Sequence, residues 1–381
     1  MAKLGMPTVV VKFIEAGIEA IQRSQRGIVA LILEDTKQVI DKLATKTNGH
    51  EVLPNPFFVY TVDDIPEELS DKNKDYILKA LKGYNKPPLK IVVYMMQQGG
   101  DKTGADRFQE PLKAMLTERF DYLAIPTIEN AQLEYVATWV KTARENKFKK
   151  IKVVLPGSNA DYEGVINFGN TKVFTADREY KPAEYTARIA GLVAGTNMTQ
   201  SATYAPLAEV IDCDRHTQDE MDAMVNEGKF FIWYDGEKFK MSRAMNSLVT
   251  TSQGKLEGYQ TIKIVDIMDM IYDDIRKTAQ DSYIGKYTND YENKCLLISA
   301  ILGYFKQLEN ERLLQKDYST CEIDCEAVRT YQLSHGLFTK EELAKMSDDE
   351  VKKLDTKKIV FLKAKVRPLD AMEDIQLPIN I

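Results

Sequence analysis

Long apolar runs are missing from this chain. No stretch approaches the roughly 20 residues that a membrane-spanning helix needs. The opening residues, Met1 to Pro7, lack the apolar centre of a signal peptide, so the chain is expected to be made and kept in the cytoplasm. Histidine is scarce: His50, His216 and His335 are the only three. A Ser-His-Asp triad would need one of them beside a serine and a carboxylate, and no Gly-x-Ser-x-Gly elbow is present to supply the serine. His216 sits in the polar run 213–217 and reads as an exposed loop residue. An excess of positive charge is also absent. The 51 basic and 57 acidic residues give a net charge of -6 and are interspersed, which leaves no electrostatic footprint for nucleic acid or an anionic membrane. Cysteine is limited to four residues, expected as reduced thiols. Cys321 and Cys325 form one close pair with no second Cys or His pair at zinc spacing, so no metal is expected.

Phosphate-binding signatures fail in the same way. The loop 99–104, Gly-Gly-Asp-Lys-Thr-Gly, stands between a strand and a helix, where backbone N–H groups suit an anion. Its lysine precedes the last glycine, however, so the order Gly-x-x-x-x-Gly-Lys is not met and a plain βα turn is the reading. The acidic pairs Asp273-Asp274 and Asp348-Asp349-Glu350 read as solvated helix surface. No catalytic, cofactor-binding or metal-ligating residue is assigned, and no internal repeat or low-complexity tract is visible.

What is present is the composition of a globular chain, 44% apolar and 28% charged over 381 residues, enough for two or three domains. The strongest pattern runs from Tyr259 to Leu314. Ile264, Ile267, Met268, Ile271 and Ile275 recur three or four apart and predict one face of a helix. Gly285 and Asn289 break the pattern. Leu296, Leu297, Ile298, Ile301, Leu302, Tyr304, Phe305 and Leu308 then predict a second helix, too apolar all round to stand uncovered.

Upstream, apolar runs alternate with helical patterns. Strands are predicted at 27–33, 57–61, 89–96, 121–126, 151–155 and 162–168, and helices at 71–84, 106–120, 131–146 and 182–196. That order implies βαβ units and a mostly parallel sheet. Residues 230–234 and 238–241 predict a hairpin turning at Asp235-Gly236. Residues 15–27 are ambiguous between helix and strand. Residues 323–335 read as a short helix closed by Gly336, and 341–354 as a charged, exposed segment. Extended segments stand at both ends, 8–14 and 358–366 followed by 375–381. A terminal strand without a hairpin partner pairs either in its own fold or in another chain.

Taken in order, several short motifs resemble one family. They are Arg23 to Val29, Tyr185 to Ala194 with Ser201 to Pro206, Tyr283 to Asn289, Ile323 to Tyr331, and Val366 to Asp374. Together they resemble contractile phage tail sheath proteins, most nearly the short sheaths of PBSX-like prophages and R-type bacteriocins. The resemblance implies an α/β fold: a central mixed, mostly parallel sheet with helices, subtilisin-like but without a triad, plus an α+β C-terminal assembly domain with extended strand arms. It implies boundaries near 1–27 (N-terminal arm and first strand), 28–88 (start of the core and a small polar insertion), 89–255 (central domain) and 256–381 (C-terminal domain and arm).

The same resemblance implies a structural role without cofactors. The partners are further copies of the chain in stacked rings, a tail tube protein, and baseplate and terminator proteins, with no nucleic acid and no membrane insertion. Val9, Val10, Val11 and Phe13 would form an inter-subunit N-terminal arm, and Val360, Leu362, Val366, Ile375, Leu377 and Ile379 a C-terminal one. Asp281, Tyr283, Lys286 and Asn289 are candidates for touching the tube. An unrecognised α/β enzyme, nucleotide-binding or hydrolase-like, remains the alternative, and a tube or baseplate protein is a third reading.

Overall fold

The run Ile28–Asp35 forms β1, and its alternation decides the architecture. Successive side chains of a strand point to opposite faces. Val29, Leu31 and Leu33 enter one apolar core and Ile28, Ala30 and Ile32 another, all fully buried. A strand apolar on both faces needs helices on both faces. The computed structural model describes residues 20–44, 54–100 and 103–380, and supplies those helices.

After β1 come α1 (Lys37–Ala44), β2 (Phe57–Val59), α2 (Asp71–Leu81) and β3 (Lys90–Gln97), then α3 (Gln109–Met115), β4 (Tyr122–Ala124), α4 (Leu133–Asn146), β5 (Lys152–Pro156) and β6 (Val165–Phe168). The central sheet has the order β10-β6-β5-β4-β1-β3-β2, where β10 is the pair Lys229–Phe230. Only β2 runs antiparallel, so the fold is α/β with a mixed, mostly parallel sheet. One core takes Tyr76, Ile77 and Ala80 of α2 together with α5 (Pro182–Ala194); the other takes Leu112 and Met115 of α3 with Val136 and Val140 of α4.

A smaller antiparallel sheet joins β7 (Val173–Thr175), β8 (Glu179–Tyr180) and β9 (Val210–Cys213), and α6 (Gln218–Asn226) follows. The expected hairpin is present as β11 (Ile232–Tyr234) and β12 (Phe239–Met241). Asp235 Oδ1 accepts from the N–H groups of Glu237 and Lys238, and Gly236 takes φ +102°. The predicted first strand is split there, because Lys229–Phe230 pairs with β6 in the large sheet instead.

The described residues divide into two units, those of 23–274 with 368–380, and those of 20–22 with 275–367. The division falls inside α7 (Ile262–Thr278). The second unit holds α8 (Tyr291–Asn310), β13 (Thr320–Ile323), α9 (Cys325–Ser334), α10 (Lys340–Lys345), α11 (Asp348–Val351) and β14 (Leu362–Lys365). The helix predicted at 323–335 therefore starts late. Ile323 is strand, and Asp324 caps α9 by accepting from the N–H groups of Glu326 and Ala327. Nor is 341–354 exposed throughout. Leu343 and Val351 are buried, and Ser347 with Glu350 closes a capping box at the start of α11.

Gly191 marks the tightest helix contact. A Cβ built on it would lie 2.0 Å from the carbonyl oxygen of Ala80, so α2 and α5 touch backbone to backbone there. Gly191→Ala should destabilise the protein by about 1–3 kcal/mol through overpacking, read as a lowered midpoint in urea unfolding.

Candidate assembly surfaces and the seat of helix seven

An ionic cluster ties α7 to the ends of the central strands. Asp266, Asp269 and Asp273 are spaced three and four apart, which puts them on one side of the helix. Asp269 meets Arg144 through two contacts of 2.9 Å and Lys152 Nζ at 2.7 Å. Lys152 also reaches Asp266 at 2.9 Å, and the Tyr122 hydroxyl donates to Asp266 at 2.5 Å. Asp273 takes Arg26 at 2.8 Å, whose other terminal nitrogen binds Asp121 at 2.7 Å. Asp121 accepts in turn from the N–H groups of Gly27 and Ile28, where β1 begins. Asp274 is fully buried and accepts from the N–H of Ser24 at 2.7 Å. Asp273 and Asp274 are thus not the solvated pair that their sequence suggests; partners some 250 positions away, in the segment before β1, are invisible to a local pattern.

Burial alone would raise the pKa of Asp269. Lys152 and Arg144 outweigh it and hold that carboxyl at about 2. Burial does win at Asp266, which is pushed above the usual carboxylate range although Lys152 opposes it.

The residues assigned to the C-terminal arm separate into two groups. Leu362 lies in β14, which pairs antiparallel with β13 of the same chain, Ile323 opposite Leu362 and Thr320 opposite Lys365. Leu362 is thus paired within its own chain along one edge of β14. Leu362 is half-buried and packs against the small core of Ile323, Cys325, Val328 and Val351. Val360 is exposed and Val366 half-buried on either side of β14. Ile375, Leu377 and Ile379 behave differently. They are 82%, 74% and 76% exposed, on a segment without regular structure. Before them, Glu373 and Asp374 are held by Arg243, at 3.4 and 2.5 Å. Val9, Val10, Val11 and Phe13 lie outside the described residues.

The turn between α7 and α8 also sorts its candidates. Asp281 and Lys286 are exposed, and Lys286 Nζ donates to the Asp281 carbonyl. Tyr283 is buried and stacks on Tyr287 with ring centroids 5.4 Å apart. Asn289 turns inward: its amide donates to Thr356 Oγ1 and to the carbonyls of Lys357 and Ile359, at 3.2, 2.9 and 3.1 Å. It braces its own chain. Ile284, 68% exposed at the tip, carries no charge or periodic signal and was not singled out by the sequence.

The places where chemistry could reside offer little. His216 is half-buried, not exposed, with its ring edge-on to Phe231. His335 stacks on Tyr331, and its Nδ1 lies 3.0 Å from Ser334 Oγ and 2.9 Å from the Tyr331 carbonyl. His50 is outside the described residues. Gly99, Gly100, Thr103 and Gly104 border a cleft of about 480 Å³ that Arg107, Glu110 and Glu129 also line, Arg107 being bound by Glu34. Cys321 and Cys325 are buried free thiols, and burial pushes Cys321 up to about 11. Among the described residues no group of three or more His, Cys, Asp or Glu could hold a metal ion, and no helix is long and apolar enough to cross a membrane.

Two family models match: the phage tail sheath protein central domain over residues 101–247 and the phage tail sheath C-terminal domain over 255–381. A tail sheath protein of Clostridium phage phiCD119 is 32% identical over 382 residues, 99% of each chain. This chain belongs to the phage tail sheath family. The phage-like element PBSX protein XkdK of Bacillus subtilis is 29% identical over 184 residues, 47% of this chain and 40% of that protein. In fold, a sheath tail protein from Desulfitobacterium hafniense matches with TM-score 0.68 at 18% identity, over 83% of this chain and 94% of that one. The helical sheath of the anti-feeding prophage in its contracted state also matches at TM-score 0.68, at 12% identity over 99% of both chains. For the sheath family member described here, the ionic seat carries the first consequence.

Asp269→Asn should cost about 3–5 kcal/mol at pH 7, because it leaves buried Arg144 without its bidentate carboxylate and Lys152 with Asp266 alone. The folded pKa of Asp269 is depressed, so its contribution is full above the ordinary value of 3.8 and is lost as pH falls towards about 2. Urea unfolding at pH 7 and pH 3 should therefore show a smaller difference for the Asn variant than for the parent.

Proposed function

We propose that this chain is the structural subunit of a contractile tail sheath. Copies polymerise around a tail tube in a metastable extended state and contract by rigid-body rotation of subunits, driving the tube through a cell envelope. The free energy is stored at assembly, so neither nucleotide hydrolysis nor a cofactor enters the cycle, and the chain is not an enzyme. The supporting observation is the pairing of an open sheet with an unpartnered strand sequence. The β13–β14 sheet has two strands, and among the described residues no further strand pairs with either outer edge. The segment 375–380 alternates exposed apolar residues at 375, 377 and 379 with polar or proline residues, the pattern of a strand with one apolar face.

In this reading the 375–381 segment of one copy adds to one edge of the β13–β14 sheet of another. The N-terminal segment carrying Val9, Val10, Val11 and Phe13 adds to an edge in a further copy. Added strands bind through main-chain hydrogen bonds, which tolerate sequence change and survive bending of the connecting joints. Pro378 removes a donor from one side of the arm, so the arm pairs through its odd-numbered residues and ends the sheet it joins. Asp281, Ile284, Lys286 and Tyr287 form the surface that touches the tube. Baseplate and terminator proteins cap the cylinder, which is assembled in the cytoplasm of a bacterial host and resides in a phage or bacteriocin particle. The functional domains follow 1–27, 28–88, 89–255 and 256–381.

Purified protein should form tubes or rings of uniform diameter in negative-stain microscopy; dispersed monomers at every concentration would count against a sheath. Removing residues 375–381, or residues 1–14, should leave the thermal midpoint within a few degrees of the parent while abolishing polymerisation. Tubes built by both truncated forms would mean that the arms are assigned wrongly.

A further inference from the structure

The exposed C-terminal segment is tethered at one place, and the tether is built from side chains that are already in position. Thr203 Oγ1 accepts from the N–H of Ala244 at 2.9 Å, and Ser201 Oγ accepts from the N–H of Thr203 at 3.2 Å. These bonds fix both hydroxyls independently of the tail. Both then donate to the same oxygen of Glu373, Thr203 at 2.6 Å and Ser201 at 3.1 Å. Arg243 closes the other side, its Nε 3.4 Å from Glu373 and its Nη2 2.5 Å from Asp374. Thr261 adds a bond of 3.3 Å to Asp370. The Glu373 side chain is 14% exposed, whereas Met372 and Ile375 on either side are 94% and 82% exposed. Arg243 holds the Asp374 carboxyl below the usual carboxylate range.

We infer that Ser201, Thr203 and Arg243 form a socket for Glu373 and Asp374 that fixes where the C-terminal arm leaves its own subunit. This rests on the strand-donating reading above and deepens it. The donated strand then starts at Ile375, not at the end of β14. It is seven residues long and reaches about 23–25 Å when extended. Residues 366–369 become the joint, and the socket converts a tail that could pivot from Arg367 into one that presents its apolar face from a fixed origin. Fixing the origin raises the effective concentration of the arm at its target edge in the next copy. The contacts are charge-assisted and near the surface, so they weaken with salt.

The test uses the full-length protein and two variants, Arg243→Glu and the charge exchange R243E/E373R/D374R. Hydrogen exchange on monomers below the polymerisation threshold reads the tether, and sedimentation reads the threshold itself. Arg243→Glu should leave the unfolding midpoint unchanged, speed exchange across 370–375, and raise the critical concentration about tenfold. The charge exchange should return both towards the parent. If Arg243→Glu changes neither exchange nor threshold, or if the charge exchange restores neither, the socket assignment is overturned. If exchange responds as expected while the parent never polymerises, the socket stands and the sheath reading fails.

Discussion

A single buried carboxylate, Asp269, holds the central sheet and α7 in register. Arg144 comes from α4, Lys152 opens β5, and both converge on it at 2.7–2.9 Å. Removing such charges from water costs several kcal/mol per ion unless each is matched. The matching is a geometric demand: α4, β5 and α7 have to meet at one point, or three charges are stranded. Neighbouring contacts extend the demand to the start of β1, where Arg26 bridges Asp121 and Asp273. Apolar faces tolerate small slips, whereas this bidentate arrangement does not. The cluster thus fixes the position of α7 on the sheet more sharply than the apolar cores can.

Much of this fold is readable in the sequence because β1, β3 and β5 are nearly continuous apolar runs, and the helical patterns of α2, α4 and α5 stand between or after the strands. What escaped reading had weaker or non-local causes. Helix α6 buries no residue, so it has no apolar stripe; its capping box of Thr217 and Glu220 is a local signal that could have announced it. Strands β7, β8 and β9 have two to four residues, too few for a period to appear. Asp273 and Asp274 look solvated until Arg26 and Ser24 arrive from some 250 positions earlier in the chain.

The assembly surfaces divide along similar lines. The apolar alternation at 375–379 is visible in the sequence, and the structure leaves it exposed. Leu362 carries the same kind of signal and is occupied by its own β13. Pattern alone does not distinguish a strand that has found a partner from one that has not. Asn289 shows a second limit of pattern. A polar residue in a turn looks available, yet three acceptors of its own chain take its amide.

The two-stranded β13–β14 sheet has one more implication. Two strands alone are marginal in water, and their outer N–H and C=O groups are open. Here α9 and α11 pack on the sheet through Val328 and Val351, while among the described residues no third strand pairs with it. In the strand-adding reading, a lone copy lacks pairing partners at the edges where a cylinder would be cross-linked. Its last increment of folding energy would be released only on joining the wall, so that maturation of the subunit and growth of the particle would be one thermodynamic event.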